Sequence, residues 1–130
     1  MEKAFQTSAF KNEIHFTGRV SESDLNAIVG SALGIVYVPY FEGFGIPIIE
    51  AFSAEVPVIT SNITSMPEVA GDAALLVNPY SSEEIAEAMQ KLAVNENLRL
   101  ELIEKGKERA GLFSWEETAD KLWESVLKAI

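Results

Sequence analysis

The sequence of 130 residues contains no cysteine and only one histidine. Without cysteine there is no disulfide framework, no thiolate metal site and no cysteine nucleophile. The single histidine, His15, lies within an apolar segment. Because a metal site needs several clustered ligands, we interpret His15 as a structural residue.

Basic residues and long apolar runs are also scarce. Lys and Arg total 10 against 20 Asp and Glu, which gives a formal net charge of −10. This balance argues against nucleic acid or an anionic membrane as a partner, because both require a basic face. A small anionic ligand, held by local amides and a few cations, stays possible. No apolar run approaches the ~20 residues of a membrane helix, and residues 1–6 lack a signal-peptide core, so we expect a soluble cytoplasmic domain.

The apolar residues that are present form short segments that alternate with helical patterns. Segments 14–17, 34–38 and 56–60, with a weaker one at 74–77, are rich in β-branched or aromatic residues. Such segments are typical of strands in a parallel sheet covered on both faces. Helices are predicted after a capping signal at Ser21, at 48–54 and at 66–70. The alternation predicts one α/β domain, residues 1–130, with a Rossmann-like, doubly wound parallel sheet.

The last 50 residues are predicted to be helical. Ser81 and Ser114 are each followed three residues later by a glutamate, which is the pattern of a capping box. The apolar face predicted for the last helix consists of Ala119, Leu122, Trp123, Val126 and Ile130. We interpret Trp115 and Trp123 as packing anchors.

The start of the chain does not fit a complete domain. A doubly wound domain usually begins on a strand and has five or six, whereas this sequence predicts three or four strands after a short, poorly patterned helix. We therefore expect that the N-terminal part of the domain is missing and that the chain is a fragment of a larger protein.

A glycine-rich turn at residues 42–50 joins a predicted strand to a predicted helix. Free amides at a helix start, surrounded by polar groups, bind anions in α/β proteins. Gly43 and Gly45 suit such a site, but a plain strand-to-helix turn needs glycine as well. Glu42 is either a ligand-binding residue at the carboxyl end of a strand or an ordinary surface glutamate. Glu50 is predicted in the first helical turn, where the helix dipole alone would stabilise it.

The spacing of these residues carries a family resemblance. The signature is a glutamate, seven residues and a second glutamate, within EGFG-x-P-x-x-EA, and residues 42–51 match it. The similarity continues through 57–61, 66–74 and 76–79, upstream at 14–20 and downstream at 113–116. Over nearly its whole length the chain resembles the C-terminal, donor-binding domain of retaining GT-B glycosyltransferases, most of all family 4.

The resemblance implies a role for each part of the site. The catalytic Glu42 would contact the transferred sugar and Glu50 the ribose hydroxyls of a nucleoside diphosphate sugar. The amides of residues 43–45 would meet the diphosphate, and the loop at 18–20 would lie against the base. The implied donor-binding residues are Gly18, Arg19, Val20, Gly43, Phe44, Gly45, Ile46 and Glu50. No cofactor and no metal are expected, and the chain has no Asp-x-Asp.

The departures from the family pattern concern charge and completeness. Family members neutralise the diphosphate with an Arg and a Lys from earlier in the domain, and nothing before His15 matches that pair. Glu55 is expected to add negative charge near the diphosphate. The acceptor-binding N-terminal domain is absent, as are two strands that lie in the family's sheet between segments 14–17 and 34–38.

These expectations lead to a functional prediction with an alternative. The chain is predicted to be the donor-binding part of a glycosyltransferase, inactive by itself, whose uncovered edges favour self-association. A peripheral position of the parent enzyme at a membrane stays open. The alternative is a non-catalytic module that binds a nucleotide sugar or a protein on the same fold.

Overall fold

The computed structural model describes residues 2–129. The helices are α1 Glu2–Thr7, α2 Glu22–Gly30, α3 Ile46–Ser53, α4 Met66–Ala70, α5 Ser82–Val94, α6 Glu96–Ala110 and α7 Trp115–Ala129. The strands are β1 Ile35–Tyr37, β2 Val58–Ser61 and β3 Ala74–Val77, and Lys11–Glu13 form a 3₁₀ turn.

The three strands form one parallel sheet in the order β1-β2-β3. Val58 at the start of β2 lies opposite Ile35 on one side and Ala74 on the other. Helix α3 lies between β1 and β2 in the chain and α4 between β2 and β3, as parallel pairing requires. The predicted α/β class is confirmed, and all three strands end at the same edge of the sheet.

The core lies on both faces of the central strand. Val58 packs with α3 and α4 in one buried cluster that includes Ile48, Phe52 and Met66. Ile59, the next residue, points to the opposite face and packs with buried residues of α5 and α6. Because successive strand residues alternate between faces, β2 is covered on both sides and reads as a continuous apolar run.

The strand predicted at 14–17 is wrong. These residues form no strand, and Ile14 and Phe16 are 42% and 67% exposed. An extended segment is stabilised by pairing with a neighbour, and no strand among residues 2–129 pairs with this one. His15 is therefore exposed rather than buried in a sheet.

Three helices begin at the serine caps that the sequence predicts. The backbone N–H groups of Asp24, Glu84 and Glu117 donate to the hydroxyls of Ser21, Ser81 and Ser114 at 3.1, 3.2 and 3.0 Å. The predicted caps are thus confirmed. The reciprocal half of the box at Ser81 is wrong, because the Glu84 carboxylate accepts from the Asn78 N–H instead.

Helix α7 does not pack as predicted. Trp115 and Trp123 are 79% and 62% exposed, so they anchor nothing within the described part of the chain. Ile130, the last residue of the predicted face, lies outside the described residues. None of the helices within residues 2–129 has both the length and the apolar character to cross a bilayer.

Candidate functional site

The turn from Glu42 to Gly45 lies between the end of β1 and the start of α3. Gly45 is the N-cap of α3, with φ 103° and ψ 49°. A Cβ atom there would lie 2.7 Å from Met66 Cε and 3.3 Å from Ile48 Cδ1, both on fully buried residues. Gly45 is therefore required by backbone conformation and by space. Gly43 has open space around it.

Three successive backbone amides in this turn have no internal acceptor. The N–H groups of Gly43, Phe44 and Gly45 donate no hydrogen bond to any residue in the range 2–129. They precede the N-terminus of α3, which carries the positive end of the helix dipole. An anion at this position would satisfy groups that the fold leaves free.

Glu42 is half-buried at the carboxyl side of β1. It lies near Tyr37, whose pKa is raised. The main cause is burial, and the hydrogen-bonding and negative charge of Glu42 add to it. Tyr37 thus stays protonated at neutral pH and can donate to the Glu42 carboxylate.

Glu50 lies farther along α3 than predicted. The first turn of α3 contains no acidic residue, and Glu50 occupies the second turn with an exposed side chain. The explanation of Glu50 by the helix dipole is therefore weak, because that effect falls off within the first turn. A carboxylate one turn from the free amides can instead reach a ligand that extends beyond its anionic group.

Contacts from distant residues hold the turn in place. The Ser65 hydroxyl donates to the Glu42 carbonyl at 2.8 Å. The ring of Phe44 meets that of Phe113 edge to face, with centroids 5.6 Å apart. The Arg109 guanidinium lies over the Phe113 ring, 5.5 Å from its centroid. The contacts of Ser65 with Glu42 and of Phe44 with Phe113 join residues more than twenty positions apart, so no local sequence pattern predicts them.

Arg109 also ties α6 to α4. Its Nε donates to the Val69 carbonyl at 2.9 Å, and its Nη2 donates to the Glu68 carbonyl. A cation at the C-terminal carbonyls of a helix is favoured by their partial negative charge. Its role is therefore to fix α4, which in turn carries Ser65 next to the turn.

Two other parts of the predicted site are the loop at 18–20 and Glu55. Gly18 and Arg19 are exposed, and no hydrogen bond or ion pair within residues 2–129 links the loop at 18–20 to the turn. Glu55 does not lie beside the turn, because it follows the opposite end of α3 and pairs with Lys107 at 2.9 Å. Its predicted effect on the site is wrong. The described residues hold no group of three or more His, Asp or Glu side chains placed to bind a metal.

The fold and the turn define a Rossmann-like α/β domain in which three free backbone amides precede a helix at the carboxyl edge of the sheet. Comparison with known proteins agrees with this class. The family model described as "Glycosyl transferases group 1" matches residues 1–109. The chain belongs to this family.

The chain is similar to several named family members. It is 39% identical to O-antigen chain mannosyltransferase B of Escherichia coli over 79% of this chain and 27% of that protein. It is 28% identical to MMP alpha-(1->4)-mannosyltransferase of Mycolicibacterium hassiacum over 99% of this chain and 32% of that protein. The chain thus spans about a third or less of the length of these relatives.

A solved structure shows the same fold. Sucrose-phosphate synthase from Thermosynechococcus elongatus superposes with a TM-score of 0.83 at 26% identity, over 99% of this chain and 34% of that one. The predicted GT-B type of α/β fold is confirmed by this match.

Proposed function

We propose that the chain is the donor-binding part of a retaining glycosyltransferase and binds a nucleoside diphosphate sugar at the turn before α3. The proposal rests above all on the three free amides of Gly43, Phe44 and Gly45 at the helix start. The diphosphate accepts from these amides and lies at the positive end of the helix dipole. The relatives named as mannosyltransferases support a sugar as the transferred group.

The two glutamates have separate tasks in this proposal. Glu42 contacts the sugar and stabilises the positive charge that develops at the bond being broken. Glu50, one turn along α3, accepts hydrogen bonds from the ribose hydroxyls. The amides of residues 43–45, with Ile46 beside them, hold the departing diphosphate, and Gly18, Arg19 and Val20 contact the base.

The site has too little positive charge to neutralise a diphosphate. The chain carries a net charge of −10, and the Arg109 guanidinium is engaged with α4 carbonyls rather than free for the diphosphate. Three charge-assisted hydrogen bonds of roughly 1.5 kcal/mol each correspond to a Kd of about 1 mM. We therefore propose that a longer protein supplies the missing cations and the acceptor site, and that the isolated chain transfers no sugar. Turnover by the purified chain with any acceptor would contradict this.

The ribose assignment is tested by comparing two ligands. We expect Glu50→Ala to weaken the binding of UDP-, GDP- or ADP-sugars by about tenfold, because a hydrogen bond to a charged group is lost. Inorganic pyrophosphate lacks the ribose, so its affinity should not fall. NMR titration measures both at millimolar concentration.

Glu87→Ala is the matched control. Glu87 is an exposed glutamate of α5 away from the turn, and its replacement removes the same charge. An equal change of affinity in the two variants would mean that net charge, not ribose contact, governs the effect of Glu50→Ala. Sugar nucleotides that bind no better than pyrophosphate to the unchanged chain would contradict the proposed function itself.

A second proposal concerns association of the isolated chain. Helix α7 exposes Trp115, Leu122 and Trp123 on one face, and contiguous exposed apolar side chains mark interaction surfaces. We expect self-association by light scattering at tens of micromolar.

Trp123→Glu should reduce this association, whereas Lys121→Gln, the same charge change on the polar face of α7, should not. A strictly monomeric unchanged chain would contradict the prediction. The exposed face favours the alternative, a non-catalytic protein-binding module. An upstream acceptor domain and an Arg/Lys pair in the parent reading frame would favour the enzyme.

A further inference from the structure

The start of α4 contacts the glycine-rich turn at both of its ends. Ser65, the N-cap of α4, donates its hydroxyl to the carbonyl of Glu42 at 2.8 Å and lies 3.4 Å from that of Phe44. Met66, the first residue of α4, is fully buried directly beneath Gly45. These contacts link segments that are 21 to 23 residues apart in the chain.

The Ser65 hydroxyl does not serve the helix that it precedes. A serine at an N-cap normally accepts from a backbone N–H of the first turn. Ser65 makes no such bond and has helical backbone angles, φ −81° and ψ −9°. Its hydroxyl is directed instead at the turn before α3, so removing it does not remove a helix cap.

The residue before Ser65 is held in a strained conformation. Thr64 has φ +57°, a left-handed value that is rare for a β-branched residue. Such conformations persist where the surrounding structure enforces them, and they concentrate at binding sites. Thr64 immediately precedes Ser65, whose hydroxyl faces the Glu42 carbonyl.

The hydrogen bonds from Ser65 determine where the free amides point. In a trans peptide the C=O and the following N–H lie in the peptide plane and point in opposite directions. Because the Glu42 carbonyl is drawn toward Ser65, the Gly43 N–H is directed away from α4. The same holds for the Phe44 carbonyl and the Gly45 N–H, through the longer contact.

We infer that Ser65 is a positioning residue of the donor site, which turns the Gly43 and Gly45 amides toward the diphosphate by holding the carbonyls of Glu42 and Phe44. The inference rests on the proposed function, because it concerns the same turn. Ser65 touches no donor atom in this arrangement. It acts through the peptide groups that do, and it also fixes the backbone of Glu42.

The test compares Ser65→Ala, Ser65→Thr and Ser53→Ala in the full chain. Ser53 is the control because its hydroxyl makes an equivalent 2.8 Å bond, to the Ile49 carbonyl at the far end of α3. We expect Ser65→Ala to weaken pyrophosphate binding by about five- to tenfold, as loss of one well-placed hydrogen bond would. Ser65→Thr keeps the hydroxyl and should restore most of the affinity, and Ser53→Ala should leave it unchanged.

A second readout does not depend on the ligand. In the ligand-free chain, the NMR cross-peaks of the Gly43 and Gly45 amides should shift in Ser65→Ala and return in Ser65→Thr. Unchanged cross-peaks would overturn the inference, as would equal pyrophosphate affinity in Ser65→Ala and the unchanged chain. If the unchanged chain binds no pyrophosphate, the proposed function fails, and the cross-peaks alone then decide whether Ser65 holds the turn.

Discussion

Replacing Gly45 with alanine is expected to lower the free energy of unfolding by about 2–4 kcal/mol and to abolish diphosphate binding. The backbone at φ 103° disfavours any side chain, and the new Cβ would lie 2.7 Å from Met66 Cε. The end of a methionine is flexible and relieves part of this overlap, so the left-handed backbone carries the larger share of the cost.

Gly43→Ala is the matched control for this prediction. Nothing lies within 4 Å of a Cβ at Gly43, and its φ is not in the left-handed region. Its effect on stability should stay within about 0.5 kcal/mol. Urea unfolding of both variants measures the difference. Equal stability of the two would show that the turn does not have the geometry described for Gly45.

The second large effect is expected at Glu42, in a glycosyltransferase that contains this chain. Glu42→Ala should reduce kcat by at least about 10²-fold and change the KM for the donor little, since its contact is proposed to strengthen in the transition state. Glu50→Ala should do the reverse, with a raised KM and a smaller change in kcat. Steady-state kinetics with varied donor concentration separates the two.

Unchanged activity of Glu42→Ala would remove the central catalytic assignment. A rise in KM with kcat preserved would instead make Glu42 a ground-state binding residue. Tyr37→Phe offers a milder companion variant, because it keeps the ring against the core and removes only the hydroxyl that interacts with Glu42.

Features that depend on neighbouring residues were predicted well from the sequence. The serine caps of α2, α5 and α7 formed because a hydroxyl three residues before an N–H is already in reach. β3 has the predicted bounds, and β1 and β2 differ by one or two residues. The Glu42–Glu50 spacing likewise gave the family, which the family model and the structural match confirm.

Features that depend on distant partners were predicted poorly. Residues 14–17 have strand composition, but a strand forms only by pairing, and composition does not show whether a partner is present. The same holds for the apolar face of α7, which remains exposed. The structural roles of Ser65, Phe113 and Arg109 were missed because their contacts with the turn and with α4 span 20 to 70 residues. In addition, an adjacent motif suggested only a helix start.

The most direct test of the account is to titrate the isotope-labelled chain with inorganic pyrophosphate and a nucleoside diphosphate while observing its backbone amides by NMR. The account predicts that the cross-peaks of Gly43, Phe44 and Gly45 shift together and saturate, and that those of α5 and α7 do not. Saturable shifts elsewhere with these three amides unmoved, or no saturable shift with either ligand, would contradict a donor site at the start of α3.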